Sequence, residues 1–308
     1  MYDQSMIPIG QIPHLITLSS RIREASGDNP EAQRLQEFYL EQLQYCVYAA
    51  VDAVLGLADK LVHSTDGVPA PDGAGPGQAI ILVPEPIRNV LSFAVDHYFD
   101  AARRALNAAN VYISKTLRTS VPASFSDLLK QIRKDSIQIP ERIQSLTTAY
   151  WEAHGNKIKA YRDLSQHFAV ISSDARVTIF PDGKAVYYLV LPNNPEEKNP
   201  AKLSYADPRI DAFPYIVNSY NKLYLYLFEL THILMSYTHS ESPDTISILF
   251  KSPLHLGASR PVDGHLKPDI DELKSYLIGN QLHIYDAMKA ELPRKNIQPT
   301  LIITEKKT

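Results

Sequence analysis

Arg162, Asp163 and His167, in the run Ala160-Tyr161-Arg162-Asp163-Leu164-Ser165-Gln166-His167, are the residues of this chain whose types and spacing suit chemistry on a phosphodiester. A guanidinium stays charged at any cellular pH and forks onto phosphate oxygens. An imidazole titrates near neutrality and can move the proton of a ribose 2′-hydroxyl. On a helix, Asp163 and His167 lie four apart on one face, where the carboxylate can orient the ring and raise its basicity. Arg162 stands five before His167, about 140° around the helix, so only its long side chain can bring the charge alongside.

Spacing alone is a weak signal. The chain holds 14 Arg and 10 His among 308 residues, and Arg followed by four to six residues and then His is expected about once by chance. It occurs twice. The second copy, Arg260-Pro261-Val262-Asp263-Gly264-His265, has Pro after the Arg and Gly before the His, and reads as turn rather than helix. The first copy closes a Pro-free run from Ile143 to His167 with Leu146, Tyr150, Ile158, Tyr161, Leu164 and then Phe168 at helical intervals. Its bland alternative is a solvated or interhelical ion pair of Arg162 and Asp163, with His167 closing the helix end.

The elements that must position these residues read mostly as helix. From Glu31 to His63, apolar residues including Leu35, Leu43, Val47, Val51, Val54 and Leu61 recur at helical spacing behind the start signal Asp28-Asn29-Pro30. A second long helix is predicted from about Pro86 to Thr119, with an Ala content that allows close packing. A short third helix runs from Ser124, where Ser124-Phe125-Ser126-Asp127 resembles an N-terminal cap, to about Lys134, and a fourth starts near Pro140 and carries the motif. Four such helices suit an antiparallel bundle. Ser64 to Gln78, with four Gly and three Pro, is a loop.

Past the motif the apolar period shortens to that of a strand. Arg176 to Phe180 and Ala185 to Leu191 flank Pro181-Asp182-Gly183-Lys184, a hairpin signal with Asp182 and Gly183 at the tip. After a loop from Pro192 to Pro200, a helix from about Pro208 to Thr238 is rich in aromatics: Phe213, Tyr215, Tyr220, Tyr224, Tyr226, Phe228 and Tyr237. Such rings can stack on RNA, but with Ile and Leu between them they read first as core and dimer interface. Residues 1 to 29 supply a short strand or an arm. The last seventy or so residues read as a strand, Thr245 to Phe250, a loop with the second motif copy, a helix, Asp269 to Leu292, and a strand, Thr300 to Thr304. The expected organisation is a mostly α protein: a helical bundle with its hairpin over residues 1 to 240, and a small α/β C-terminal extension over 241 to 308 packed on it.

Composition narrows the function classes. With 44% hydrophobic and 21% charged residues the chain is an ordinary globular one. A net charge of −3 supplies no global basic field, so RNA would have to be gripped locally, by Lys157 and Lys159 beside Arg162. Arg103, Arg104, Lys115 and Arg118 on the second helix are more readily a solvated face. The single Cys46 excludes a disulfide framework and a Cys-based zinc site. The His pairs 232/239 and 255/265 lack a carboxylate at ligand spacing, so neither metal nor cofactor is expected. No stretch approaches the ~20 apolar residues of a membrane span and the N-terminus lacks a basic region followed by an apolar run, so the chain reads as cytoplasmic with no membrane association.

The Arg162 to His167 motif, with polar Asp163 directly after the Arg, the Lys-rich turn Gly155-Asn156-Lys157-Ile158-Lys159 before it and helical surroundings, resembles the HEPN superfamily. The resemblance is sharp in the motif alone and extends over about residues 30 to 240. It implies an antiparallel helical bundle that dimerises, and a metal-independent endoribonuclease of toxin or antiphage systems, with RNA as substrate and an antitoxin or another protein as partner. In the roles so implied, His167 is base or acid, Arg162 stabilises charge at phosphorus and Asp163 orients His167. Ala169 stands where HEPN toxins paired with a nucleotidyltransferase antitoxin carry Tyr, which sets the chain apart from that pairing. A β-hairpin after the motif is an elaboration on a simple bundle. The alternative, a non-catalytic helical module that binds a protein or a ligand, stays open at this point.

Overall fold

Two long helices, α1 (Pro30–His63) and α2 (Glu85–Leu117), form the spine of the structure and make its most extensive interhelical contact. The structure is a computed structural model that describes residues 6–8, 30–63, 79–82, 85–168, 171, 174–179, 185–205, 210–237, 255–257, 259–262 and 265–268. Alanines bury along both helices, Ala50, Ala53 and Ala58 on the first and Ala101, Ala105 and Ala109 on the second. Small side chains let helices approach closely, which is what the sequence of α2 predicts. Arg118 ends α2 in the left-handed region at φ 52°, and the Thr119 amide donates back to the Ser114 carbonyl at 3.1 Å. That geometry satisfies a carbonyl orphaned at the helix end, so Arg118 terminates a helix instead of extending a basic face.

Helix α3 (Phe125–Arg133) starts at Ser124, as the cap signal predicts, but by another contact. The Ser124 carbonyl accepts from the amides of Asp127 and Leu128, while its hydroxyl meets that of Ser126 at 2.9 Å. The predicted fourth helix is α4 (Glu141–Tyr150), one π turn (Trp151–Gly155) and α5 (Asn156–His167) in unbroken succession. The segment from Gly155 to Lys159, read from sequence as a Lys-rich turn, is therefore helical. Tyr150 and Trp151 at the start of the π turn and Ile158 after it all face the core.

Strands follow the motif where alternation predicts them. β3 (Asp174–Ile179) and β4 (Ala185–Leu191) pair antiparallel with Ile179 opposite Ala185, while Asp182 and Gly183 lie outside the described residues. The sheet extends to four strands in the order β2-β3-β4-β5, with β2 (Ala79–Leu82) beside β3 and β5 (Ile210–Asp211) beside β4, every pair antiparallel. Neither outer strand is foreseen in the sequence. Because β5 occupies Ile210 and Asp211, the aromatic helix, α6 (Ala212–Met235), begins later than predicted, and Asp211 Oδ1 accepts the Phe213 amide at 3.1 Å as its cap.

In α6, Phe213, Tyr220, Tyr224, Tyr226 and Phe228 are buried inside the chain's own core and unavailable for stacking on RNA. Tyr226 stacks on Tyr150 with ring centroids 4.4 Å apart, and Tyr98 on α2 donates to Ser219 Oγ at 2.8 Å. These contacts join α2, α4 and α6 around one core, and the described residues are mostly helical, as expected. Beyond α6, β6 (His255–Gly257) pairs with β1 (Met6–Pro8), and β7 (Ser259–Val262) pairs with β8 (His265–Pro268). The second motif copy is thus split between two strands, with Val262 opposite His265. The strands predicted at 245–250 and 300–304 and the helix at 269–292 lie outside the described residues. No helix among the described residues is long and apolar enough to cross a membrane.

Gly155 is the residue that permits the π turn. A Cβ there would lie 2.9 Å from Cε3 of Trp151 and 3.3 Å from Cε1 of Tyr150. Both rings are buried, Trp151 against Phe125 and Tyr150 against Tyr226, so neither can yield freely. In an open helix, Gly to Ala gains about 1 kcal/mol; overpacking of a core costs about 1–3 kcal/mol. Gly155→Ala is therefore expected to lower the melting temperature, with thermal unfolding followed by circular dichroism as the check; a rise would mean that the turn is not confined by these rings.

Candidate functional site

Helix α5 lies across α2, with its apolar face buried through Ile158, Tyr161 and Leu164. The Tyr161 ring stacks on Phe99 of α2 at 4.8 Å and 21°, and its hydroxyl donates to the Pro192 carbonyl at 2.8 Å. The motif helix is thereby fixed to the bundle on one side and to the segment after β4 on the other. A groove of about 310 Å³ opens between α5 and that segment. Lys159, Asp163, His167, Phe168, Glu196 and Lys198 are among its lining residues.

His167 is the last residue of α5 and is exposed. Its ring stands edge-on to Phe168 at 5.9 Å, and it makes no hydrogen bond or ion pair among the described residues. Asp163 does not reach it. The Asp163 carboxylate is taken on one oxygen by Lys159 Nζ and on the other by Arg162 Nη1 at 3.3 Å. The orienting contact expected between Asp163 and His167 is therefore absent here, and Asp163 joins Arg162 to Lys159 instead. Side chains on a helix lean toward its N-terminus, which favours the partner one turn before over the one a turn after. A permanently charged ammonium is also a stronger partner than an imidazole.

Arg162 faces α2. Its Nε lies 3.9 Å from Asp100 Oδ1, and that nitrogen is buried without a hydrogen bond among the described residues. Arg162 is not part of the groove lining, so Arg162 and His167 do not converge in this groove. Asp100 also holds Arg104, at 3.2 Å. Arg103 turns inward, with Nη2 donating to Ser126 Oγ at 3.1 Å and its guanidinium over the Trp151 ring at 5.7 Å. The predicted RNA-facing lysines are both engaged, Lys157 with Glu196 at 2.9 Å and Lys159 with Asp163. Phe168 and Lys198 complete the groove; the sequence reads Phe168 as the last apolar position of the helix face, whereas it is exposed beside His167, and nothing marks Lys198.

Charge balance at the site is legible in its carboxylates. Burial acts to raise the Asp163 carboxyl, but Lys159 and then Arg162 outweigh it and hold the group below the usual carboxylate range. Its stabilising contribution is present above the ordinary carboxylate pKa and is lost as acid protonates it. Asp96, one turn before Asp100 on α2, behaves in the opposite way. Its Oδ1 is buried without a hydrogen bond among the described residues, and burial pushes its carboxyl up to about 6. Among the described residues no three His, Cys, Asp or Glu side chains gather as metal ligands would. Comparison with protein-family models, curated proteins and solved structures found no match.

The Asp96 pKa sets a pH dependence of known sign. Between the usual carboxylate value and about 6 the folded state holds a proton that the unfolded state releases, so this residue makes stability fall as pH rises through that window. Asp96→Asn removes the cost. The variant is expected to melt higher than the parent at pH 8, with the gain shrinking toward pH 4; thermal melts across that range check it, and an equal gain at both ends would contradict the assignment.

Proposed function

We propose that the chain is a metal-independent endoribonuclease of HEPN type, acting as a homodimer on RNA. The observation that carries this reading is His167: an exposed imidazole with no hydrogen bond or ion pair among the described residues, lining a groove beside a chain of charge that runs from Lys159 through Asp163 to Arg162. In the reaction, His167 takes the proton of a ribose 2′-hydroxyl, the 2′-oxygen attacks phosphorus, and the bond to the 5′-oxygen breaks. Products are a 2′,3′-cyclic phosphate and a 5′-hydroxyl. Arg162 stabilises the charge that accumulates on the phosphoryl oxygens. One imidazole cannot serve comfortably as base and acid at once, so the leaving 5′-oxygen receives its proton from the His167 of a second copy. Lys157 and Lys159 contribute positive charge along the approach of the strand.

A second reading, a non-catalytic module that binds a protein or another ligand, is favoured by one specific observation: Arg162 is committed to Asp100 and Asp163 and does not line the groove. Cleavage decides between the two. Purified protein is expected to cut RNA in the presence of EDTA, and His167→Ala to abolish cutting. His265→Ala, in the second motif copy on β8, is expected to leave it unchanged. Cleavage that requires added divalent metal, or equal behaviour of the two variants, would sink the ribonuclease reading in favour of the binding module.

A further inference from the structure

Beside His167 the groove holds an aromatic ring and a cation to which the cleavage step assigns no role. Phe168 is 40% exposed, whereas most of the aromatics with described burial are buried. Lys198 Nζ lies 6.0 Å from the centroid of that ring and makes no ion pair among the described residues. The other lysines near the groove are occupied, Lys159 by Asp163 and Lys157 by Glu196. The wall that carries Lys198 is built, not loose. Tyr161 holds the Pro192 carbonyl, the Asn193 amide donates to Ser204 O at 2.7 Å, and the Ser204 amide donates to Asn194 Oδ1 at 2.7 Å.

An exposed ring, an ammonium above it that makes no ion pair among the described residues and an imidazole edge-on to it match the three parts of a nucleotide. Bases of any identity stack on aromatic faces, ammonium groups pair with phosphate, and an imidazole can accept from a ribose hydroxyl. A volume of about 310 Å³ is at the small end of ligand sites and suits one such unit rather than a helix. A base within a duplex has both faces covered by its neighbours, so only an unpaired base can use the ring. An exposed cation–π contact at the outer limit of range is weak, which leaves Lys198 able to exchange the ring for a phosphate.

We propose that the groove is a subsite for one unpaired nucleotide of single-stranded RNA, its base on Phe168, its phosphate on Lys198 and its ribose 2′-hydroxyl toward His167. The inference rests on the reading of the site as one that handles RNA. It is tested with the full chain and a short single-stranded RNA bearing 2′-fluoro riboses, which can bind but not be cut, measured by fluorescence anisotropy against the same strand in a duplex. The single strand is expected to bind at least about tenfold tighter than the duplex. Phe168→Ala should lose about tenfold in affinity, and Phe168→Trp should keep it. Lys198→Ala should weaken binding and reduce the slope of log affinity against log salt by about 0.7, the release of counterions from one phosphate of a single strand. Because Phe168 and Lys198 are exposed, their variants are expected to fold as the parent does, with circular dichroism as control. Equal affinity for duplex and single strand, or parent-like binding by both Phe168→Ala and Lys198→Ala, overturns the subsite. Cleavage of unmodified RNA by the same preparations separates the two claims: cutting without this binding pattern overturns the subsite alone, and this binding pattern without cutting overturns the ribonuclease alone.

Discussion

Tyr161 holds together the three parts from which the site is made. Its ring, 1% exposed, stacks on Phe99 of α2 and meets Tyr215 of α6 edge-on at 5.4 Å, while its hydroxyl holds the carbonyl of Pro192. Motif helix, bundle and groove wall therefore share one buried residue. Aromatic contacts of this kind add about 0.5–1.5 kcal/mol beyond area burial, and a buried hydrogen bond contributes about 1 kcal/mol. The sum is modest against a whole fold, but it acts at one junction. Arg162 and Asp163 follow Tyr161 directly, so a helix rotation that buried Tyr161 differently would re-aim both.

The charged residues around this anchor are placed to be movable. Arg162 is 30% exposed and pairs with carboxylates at 3.3 and 3.9 Å. Ion pairs of this exposure are worth about 0–1 kcal/mol, whereas a guanidinium forked onto phosphate makes two charge-assisted hydrogen bonds. An arriving phosphate can therefore draw Arg162 away from Asp100 at small cost. Asp163, held by Lys159 and not facing the imidazole, keeps a negative charge beside Arg162. On the proposed reading, affinity for RNA must come from short-range contacts, because a net charge of −3 gives no long-range pull on it.

The long helices were legible because burial of a helix face leaves a periodic trace. α1 and α2 run within a few residues of their predicted ends, and β3 and β4 lie where the alternation of Arg176–Phe180 and Ala185–Leu191 predicts a hairpin. What escaped notice had no such trace. β2 is four residues of uninterrupted apolar character, which periodicity cannot tell from a helix fragment, and β5 is two residues defined only by the partner it pairs with. The π turn left no trace either, because an eight-residue step such as Tyr150 to Ile158 also fits the face of an unbroken α-helix. At the site, sequence spacing correctly placed Asp163 and His167 on one helix but could not rank Lys159 against His167 as partner of the carboxylate. Lys198 belongs to the groove because Tyr161 and Lys157 hold the segment after β4 against α5, tertiary contacts with no local signature.

Hydrogen exchange in Tyr161→Phe tests the anchoring role of this residue most directly. The change keeps the ring against Phe99 and removes only the hydroxyl bond to Pro192, worth about 1 kcal/mol, or about fivefold in an opening equilibrium. The amides of Asn193, Glu197 and Lys202, which are bonded within the segment, are expected to exchange about fivefold faster while those of buried α2 residues hardly change. Unchanged exchange across 193–202, or a loss of protection spread evenly through the fold, would contradict the account, because the groove wall would then stand without Tyr161.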